Sequence, residues 1–96
     1  MISLDQIYEK DPSMVSREIA GEAILVPIRQ NVGDLESIYT LNETAARAWE
    51  LIDGQNTLSD IRDVILVEFE VEEEQAQEDL IELISDLESI AAVIRL

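Results

Sequence analysis

The order of the predicted secondary structure elements limits the fold of this chain more than any other feature. Residues 14–20, 22–28 and 37–41 are rich in β-branched and aliphatic side chains, which favours three short strands. Beyond residue 42, apolar residues recur at helical spacing and predict three helices. Three strands followed by three helices are typical of an α+β domain. At 96 residues the chain is predicted to form a single domain, residues 1–96.

The first two strands are predicted to form a hairpin, because Gly21 between them can adopt the positive φ of a tight turn. Pro27 has no N–H to donate to a ladder, so it is predicted to lie at a strand end or on a free edge. The residues before the hairpin are predicted to form a loosely ordered N-terminal arm, residues 1–13, or a short helical turn around Leu4 to Tyr8.

The segment from Leu41 to Gly54, LNETAARAWELIDG, contains the signals of a complete helix. Asn42 is a good N-cap because its side-chain oxygen can accept from the first turn, and Gly54 suits a left-handed C-terminal cap. The apolar face is predicted to consist of Ala45, Ala48, Trp49 and Ile52. The next helix is expected to begin at Thr57, which with Asp60 resembles a capping box.

The third helix has a wider apolar surface than one packing face needs. Its buried stripe is predicted to be Ala76, Leu80, Leu83, Leu87 and Ile90, with a possible extension to Ile94. Ile81 and Ile84 lie to one side of that stripe, and Ala91 extends the same side. Two interpretations remain open: a deeper core or dimer contact, or one wall of a groove for another chain.

The charge balance restricts the partners that this chain can bind. There are 22 acidic and six basic side chains, and the formal net charge is −16. Such a surface repels nucleic acids and anionic membranes and attracts basic partners. No basic residue occurs between Arg62 and Arg95, so the third helix is acidic along its length. The acidity is also explained by a solvated, solubilising surface, and this simpler interpretation stays open.

The residues also argue against catalysis and against secretion. The chain has no Cys and no His, which removes thiol nucleophiles, the usual zinc ligands and the usual general base. No nucleophile elbow, P-loop or calcium loop is present, so we predict a protein that is not an enzyme and has no metal or cofactor. Neither a long apolar run nor a signal peptide is evident, which predicts a cytoplasmic location.

The third predicted strand, SIYTL at residues 37–41, has two possible roles. As an exposed edge it would offer unpaired N–H and C=O groups, and an incoming peptide could extend the sheet there. As a short, covered edge it would be structural only. The sequence does not distinguish the two.

Several segments resemble the PqqD family, the small peptide-binding proteins of pyrroloquinoline quinone biosynthesis and related peptide-modification pathways. The resemblance rests on LNETAARAWELIDG, on the TLSDI that follows it, on FEV with AQEDL, and on VSREIAGEAILVPI near the N-terminus. It implies a winged helix-turn-helix-like domain, also called a RiPP recognition element, with a three-stranded antiparallel sheet followed by three helices. The family implies a chaperone that holds a precursor's leader segment and presents it to a radical SAM enzyme.

The resemblance also implies where the leader binds. It would add as a strand to the third strand of the sheet and lie against the third helix. The peptide-binding residues implied on this chain are Ser37, Ile38, Tyr39, Thr40, Leu41, Asp79, Ile81, Ile84 and Glu88. The alternative is a structural or regulatory adaptor that forms a homodimer through the same faces. The chain departs from the family at Glu72, a poor helix cap, and in lacking a Gly at the end of the last helix, which is therefore expected to be able to continue through Ala91 and Ala92.

Overall fold

The computed structural model describes residues 2–28 and 38–96, and it confirms the predicted α+β class. Strands β2, β3 and β4 form an antiparallel sheet in that order, and three helices follow it, as in a winged helix. Two short strands at the ends of the chain, β1 and β5, pair separately. The elements are β1 (Tyr8–Lys10), β2 (Met14–Ile19), β3 (Glu22–Pro27), β4 (Tyr39–Leu41), α1 (Glu43–Leu51), α2 (Leu58–Glu68), α3 (Glu73–Ser89) and β5 (Val93–Arg95).

The β2–β3 hairpin forms as predicted. Ile19 pairs with Glu22, which leaves a loop of two residues, Ala20 and Gly21. Both have positive φ, 52° and 84°, the conformation of a type I′ turn that matches the twist of the flanking strands. Pro27 is the last residue of β3, the strand-end position expected for a residue that cannot donate to the ladder.

The N-terminal prediction was wrong for residues 8–10. These residues form β1, which pairs antiparallel with β5 in the register Tyr8 to Arg95. The Tyr8 side chain is buried and part of the core, and the Arg95 guanidinium lies 5.8 Å from the centre of its ring. A pairing between the two ends of the chain depends on contacts that local sequence patterns do not contain.

The starts of α1 and α2 confirm the predicted caps. The Asn42 side chain accepts a hydrogen bond from the Ala45 N–H at 2.9 Å. Thr57 and Asp60 form a reciprocal capping box. Gly54 has the expected positive φ of 80°, but α1 ends earlier, at Leu51, so Gly54 is not its left-handed cap. Its N–H instead donates to the Tyr8 carbonyl at 2.9 Å and attaches the turn to β1.

The expected continuation of α3 toward Ile94 was also wrong. The helix ends at Ser89, and Ala91 adopts the left-handed conformation with φ 56°. The Ala92 N–H donates to the Leu87 carbonyl at 2.8 Å, and the Ala91 N–H donates to the Glu88 carbonyl at 3.0 Å. This pattern is a Schellman motif, which stops a helix, with alanine at the position that usually holds glycine.

Helix α1 packs on one face of the β2–β3–β4 sheet, and α2 and α3 pack against α1 and against each other. That face presents the buried side chains of Ala23, Leu25 and Leu41 to the helices. Trp49 in α1 is 3% exposed, and the Lys10 ammonium lies 5.3 Å from its ring centre while donating to the Ile52 carbonyl at 2.9 Å. Within the described ranges, no helix is long and apolar enough to cross a bilayer.

Candidate functional site

The hairpin determines which residues of the sheet exchange backbone hydrogen bonds with their neighbours. In an antiparallel pair, hydrogen-bonded and non-hydrogen-bonded residue pairs alternate, and a two-residue turn is closed by a hydrogen-bonded pair. Ile19 and Glu22 are that closing pair. The Ile28 N–H donates to the Ser13 carbonyl at 2.7 Å, which fits the same alternation at the far end of the hairpin. The β3 residues that bond to β2 are therefore Glu22, Ile24 and Val26.

The same alternation shows which backbone groups of β4 face β3 and which point away from it. Ala23 pairs with Leu41 and Leu25 pairs with Tyr39, and these β3 residues direct their backbone groups toward β4. Thr40 lies opposite Ile24 in a non-hydrogen-bonded pair, so its N–H and C=O point away from β3. Among the described strands, β4 is at the edge of its sheet. Thr40 therefore offers an amide and a carbonyl to an incoming chain.

Helix α3 lies beside this edge. The Tyr39 hydroxyl donates to Asp86 Oδ2 at 3.1 Å and links β4 to α3. Burial raises the pKa of the Tyr39 phenol, and the hydrogen bond to Asp86 and the negative charges of Asp86 and Glu82 raise it further. We call the surface defined by Tyr39, Thr40, Glu82 and Asp86 the β4–α3 groove.

The groove continues toward the N-terminal half of α3. Asp79 lies seven residues, about two helical turns, before Asp86 and so shares its side of α3. Next to Asp79 is a pocket of about 260 Å³, which we call the α1–α3 pocket. Its lining residues are Asn42, Thr44, Ala45, Ala48, Ile65, Val71, Ala76, Asp79, Leu80 and Leu83. An extended chain on β4 thus has an acidic helix flank beside it and a mostly apolar pocket at one end.

The structure places the predicted β4 residues in different environments. Ile38 is 52% exposed, Thr40 is exposed and Tyr39 is partly buried. Leu41 is 1% exposed and belongs to the core, so only its backbone is near the surface. Ser37 lies outside the described residues.

The predicted α3 residues need a correction. Asp79 lines the α1–α3 pocket, but Ile84 is fully buried in the core. Ile81 lies about 140° around the helix from Asp86, and Glu88 about 160°, at 100° per residue. Glu88 accepts from Arg95 of β5 at 3.2 Å, on the side away from Tyr39. The structure therefore does not bring Ile81, Ile84 and Glu88 to the β4–α3 groove, and the deeper-core interpretation is correct for Ile84.

Sequence reasoning missed Glu82 and Asp86 as the flank that faces β4. Their spacing from Asp79 is helical, so the sequence does place all three on one side of α3. The buried stripe has two flanks, however, and local spacing does not say which flank meets β4. Ala45, predicted for the core face of α1, is only partly buried and lines the α1–α3 pocket, while Ala46 is buried.

The groove has an unneutralised negative charge. In residues 2–28 and 38–96, the ion pairs join Arg47 to Glu50 and Glu68, Arg62 to Asp63, and Arg95 to Glu88. None of these pairs includes Asp79, Glu82 or Asp86. Nor does the described part of the chain contain a group of three or more carboxylates placed to hold a metal ion. The groove can therefore attract a lysine or arginine side chain of a bound chain.

Comparisons with known proteins agree with this architecture. The family model described as coenzyme PQQ synthesis protein D (PqqD) matches residues 22–91. Among solved structures, the chain is similar to TbiB1, solved in complex with the TbiA(beta) leader peptide, with a TM-score of 0.73 and 20% identity. That likeness covers 88% of this chain and 93% of TbiB1, and it establishes a shared fold. Comparison with curated protein sequences yields no match.

Proposed function

We propose that this chain, which belongs to the PqqD family, binds the leader segment of a ribosomally made precursor peptide and presents it to a modifying enzyme. The observation that carries the proposal is the backbone of Thr40, which points away from β3 at the edge of the described sheet, beside an acidic helix flank and a pocket. The likeness to TbiB1, whose structure contains a leader peptide, supports the same class of ligand. The enzyme would be of the radical SAM type, in quinone synthesis or a related pathway.

In this proposal the leader extends the sheet as a fourth strand next to β4. Backbone hydrogen bonds to Thr40 supply affinity that is independent of the leader's side chains. Alternate side chains of the leader then point toward α3, where Asp79, Glu82 and Asp86 attract basic groups. An apolar side chain enters the α1–α3 pocket between Ala45 and Leu83, and this contact selects the sequence.

The role assigned to the chain is binding and presentation, without a chemical step. Residues Ile38, Tyr39, Thr40, Asp79, Glu82 and Asp86 are the side chains that we propose contact the leader. Leu41 contributes through its position in β4, since its side chain belongs to the core. The partner enzyme would supply the catalytic groups.

Two proline variants test the strand-addition step. Thr40→Pro removes the outward N–H of β4, whereas Ser16→Pro removes an N–H at the opposite sheet edge. Ser16 is a matched control because its β3 partner is Leu25, a non-hydrogen-bonded pair, so its backbone groups also point outward. The ligand is the precursor peptide encoded beside the gene for this chain, labelled with a fluorophore and titrated by anisotropy.

We expect Thr40→Pro to weaken peptide binding by at least about tenfold, since backbone pairing is the main source of affinity in strand addition. Ser16→Pro should bind as the unchanged protein does, and both variants should remain folded by circular dichroism. Equal affinities for the two folded variants would refute strand addition at β4. In isotope-labelled protein, amide shifts should be confined to residues 38–44 and 76–86, and their absence would refute peptide binding itself.

A further inference from the structure

Among the described elements, no helix covers the outer face of the sheet. Directly paired residues in an antiparallel sheet point to the same side. Val15 pairs with Val26, and Arg17 pairs with Ile24, which in turn pairs with Thr40. The opposite side carries the buried residues that pack on the helices, so this set points away from the core. The residues of the outer face are Val15, Arg17, Ile19, Glu22, Ile24, Val26 and Thr40.

This outer face is apolar over most of its area. Val15 is 46% exposed and Ile19 is 58% exposed, and Ile24 and Val26 are partly exposed between them. An antiparallel sheet with one buried face normally has polar residues on the other. Single exposed apolar residues are common, whereas a contiguous apolar patch of about 300 Å² or more on a small domain is often functional. The composition of the outer face therefore indicates a protein partner.

Arg17 identifies the chemistry of that partner. In the part of the chain that the structure describes, Lys10, Arg47, Arg62 and Arg95 all have hydrogen-bond or ion-pair partners. Arg17 has none, and it lies among the apolar side chains of the outer face. Arginine surrounded by apolar residues is characteristic of the central part of protein interfaces. A complementary surface would be apolar and would offer a carboxylate opposite Arg17.

A second copy of this chain does not fit the outer face. Each copy has a formal net charge of −16, so two copies repel one another. The strand spacing and rise give the outer face a footprint of only about 300 Å². A stable specific interface needs about 800 Å² from each partner. The partner must therefore contact additional surface beyond the sheet itself.

We propose that the outer face docks the enzyme that modifies the peptide, and that the bound peptide completes the docking surface. This inference rests on the proposed function. Alternate side chains of a strand added to β4 point to the outer face and lie beside Thr40, so the peptide enlarges that face by one strand. The enzyme then recognises the complex rather than the free protein, and peptide and enzyme strengthen each other's binding.

The test uses the purified precursor peptide and the purified modifying enzyme encoded beside the gene for this chain. The outer-face variant is Arg17→Ala/Ile19→Ser. The control is Val67→Ser, because Val67 on α2 is 86% exposed and lies outside the sheet. Enzyme affinity is measured with and without saturating peptide, and peptide affinity is measured separately by anisotropy.

For the unchanged protein we expect saturating peptide to strengthen enzyme binding at least fivefold. The outer-face variant should keep its peptide affinity within twofold and lose at least tenfold in enzyme affinity, while Val67→Ser changes neither. Unchanged enzyme affinity in a variant that still binds peptide overturns this inference alone. A concentration-dependent dimer that the variant abolishes in sedimentation also overturns it. Failure of the unchanged protein to bind peptide overturns the proposed function and this inference together.

Discussion

The segment from Asn42 to Asp60 and the β4–α3 groove adjoin each other but differ in how they are encoded. The first has residue types with specific local functions: the Asn42 cap, the buried Trp49 ring and the Thr57–Asp60 capping box. The groove has ordinary residues, such as Thr40 and Asp86, whose importance comes from their placement. The contrast indicates that the most recognisable segment of a small domain defines its architecture, while binding depends on what that architecture brings together.

The largest expected effect comes from truncating the buried ring of the first region. Trp49→Ala should lower the free energy of unfolding by about 3–5 kcal/mol, because it removes a buried aromatic side chain and leaves a cavity. The Lys10 contact with the ring is lost as well. Urea unfolding measures the loss, and peptide affinity of the folded fraction should stay within about threefold. Loss of peptide binding with unchanged stability would show that this region contacts the ligand directly.

A smaller effect is expected from the hydrogen bond that joins β4 to α3. Tyr39→Phe removes the hydroxyl that donates to Asp86 and should cost about 1 kcal/mol of stability. Because the pKa of Tyr39 is raised in the folded protein, the stability of the fold should decrease at high pH. The stabilisation that the protonated Tyr39 side chain contributes is fully present below the ordinary tyrosine pKa of about 10. It is lost as the pH rises through the higher folded-state pKa.

Denaturant midpoints at pH 8 and above pH 10 test this linkage. The unchanged protein should lose more stability over that interval than Tyr39→Phe does. Parallel losses in the two proteins would show that the titration of Tyr39 is not coupled to folding.

The next prediction concerns the C-terminal end of α3, where the sequence has no glycine to mark the end of the helix. Ala91 has φ 56°, a conformation that costs alanine more than glycine. Ala91→Gly should therefore raise the free energy of unfolding by about 0.5–1 kcal/mol. Ser89→Gly, within the last turn of α3, should lower it by a similar amount. Thermal unfolding of the two variants should shift in opposite directions, and a destabilised Ala91→Gly would contradict the assigned cap.

The smallest effect is expected from the charge of the groove. Glu82→Gln/Asp86→Asn should weaken binding of a leader that contains lysine or arginine by about threefold at low salt, since exposed ion pairs contribute little. The difference should disappear at about 0.5 M salt because exposed charges are screened. Glu73→Gln/Glu74→Gln removes two exposed carboxylates from the first turn of α3, more than about 100° around the helix from Asp86, and serves as the control. An equal loss in the control would indicate general attraction to an acidic chain.

Local signals were sufficient to predict most of the fold. The hairpin around Gly21, the Asn42 cap and the Thr57–Asp60 box each depend on residues within a few positions of one another, and all three are present. The helical period also distinguished the buried side of α3 from the exposed one. Features of this kind depend on residues that are close together in the sequence.

The features that could not be predicted depend on distant residues. Tyr8 became a core residue only through pairing with the last strand. The side of α3 that faces β4 depends on how the helix packs on the sheet, so Ile81 and Glu88 were assigned to the wrong flank. Ala91 carries no glycine signal, yet it adopts the left-handed conformation that follows the end of α3 and precedes β5.

The pairing of β1 with β5 also has a kinetic consequence. It joins residues 8 and 95, almost the whole length of the chain apart, whereas the β2–β3 hairpin joins neighbours. Closing so large a loop carries a high entropic cost before any contact repays it, so the ribbon should be among the last elements to form. In native-state hydrogen exchange, the amides of Tyr8–Lys10 and Val93–Arg95 should therefore open together and ahead of the helical core.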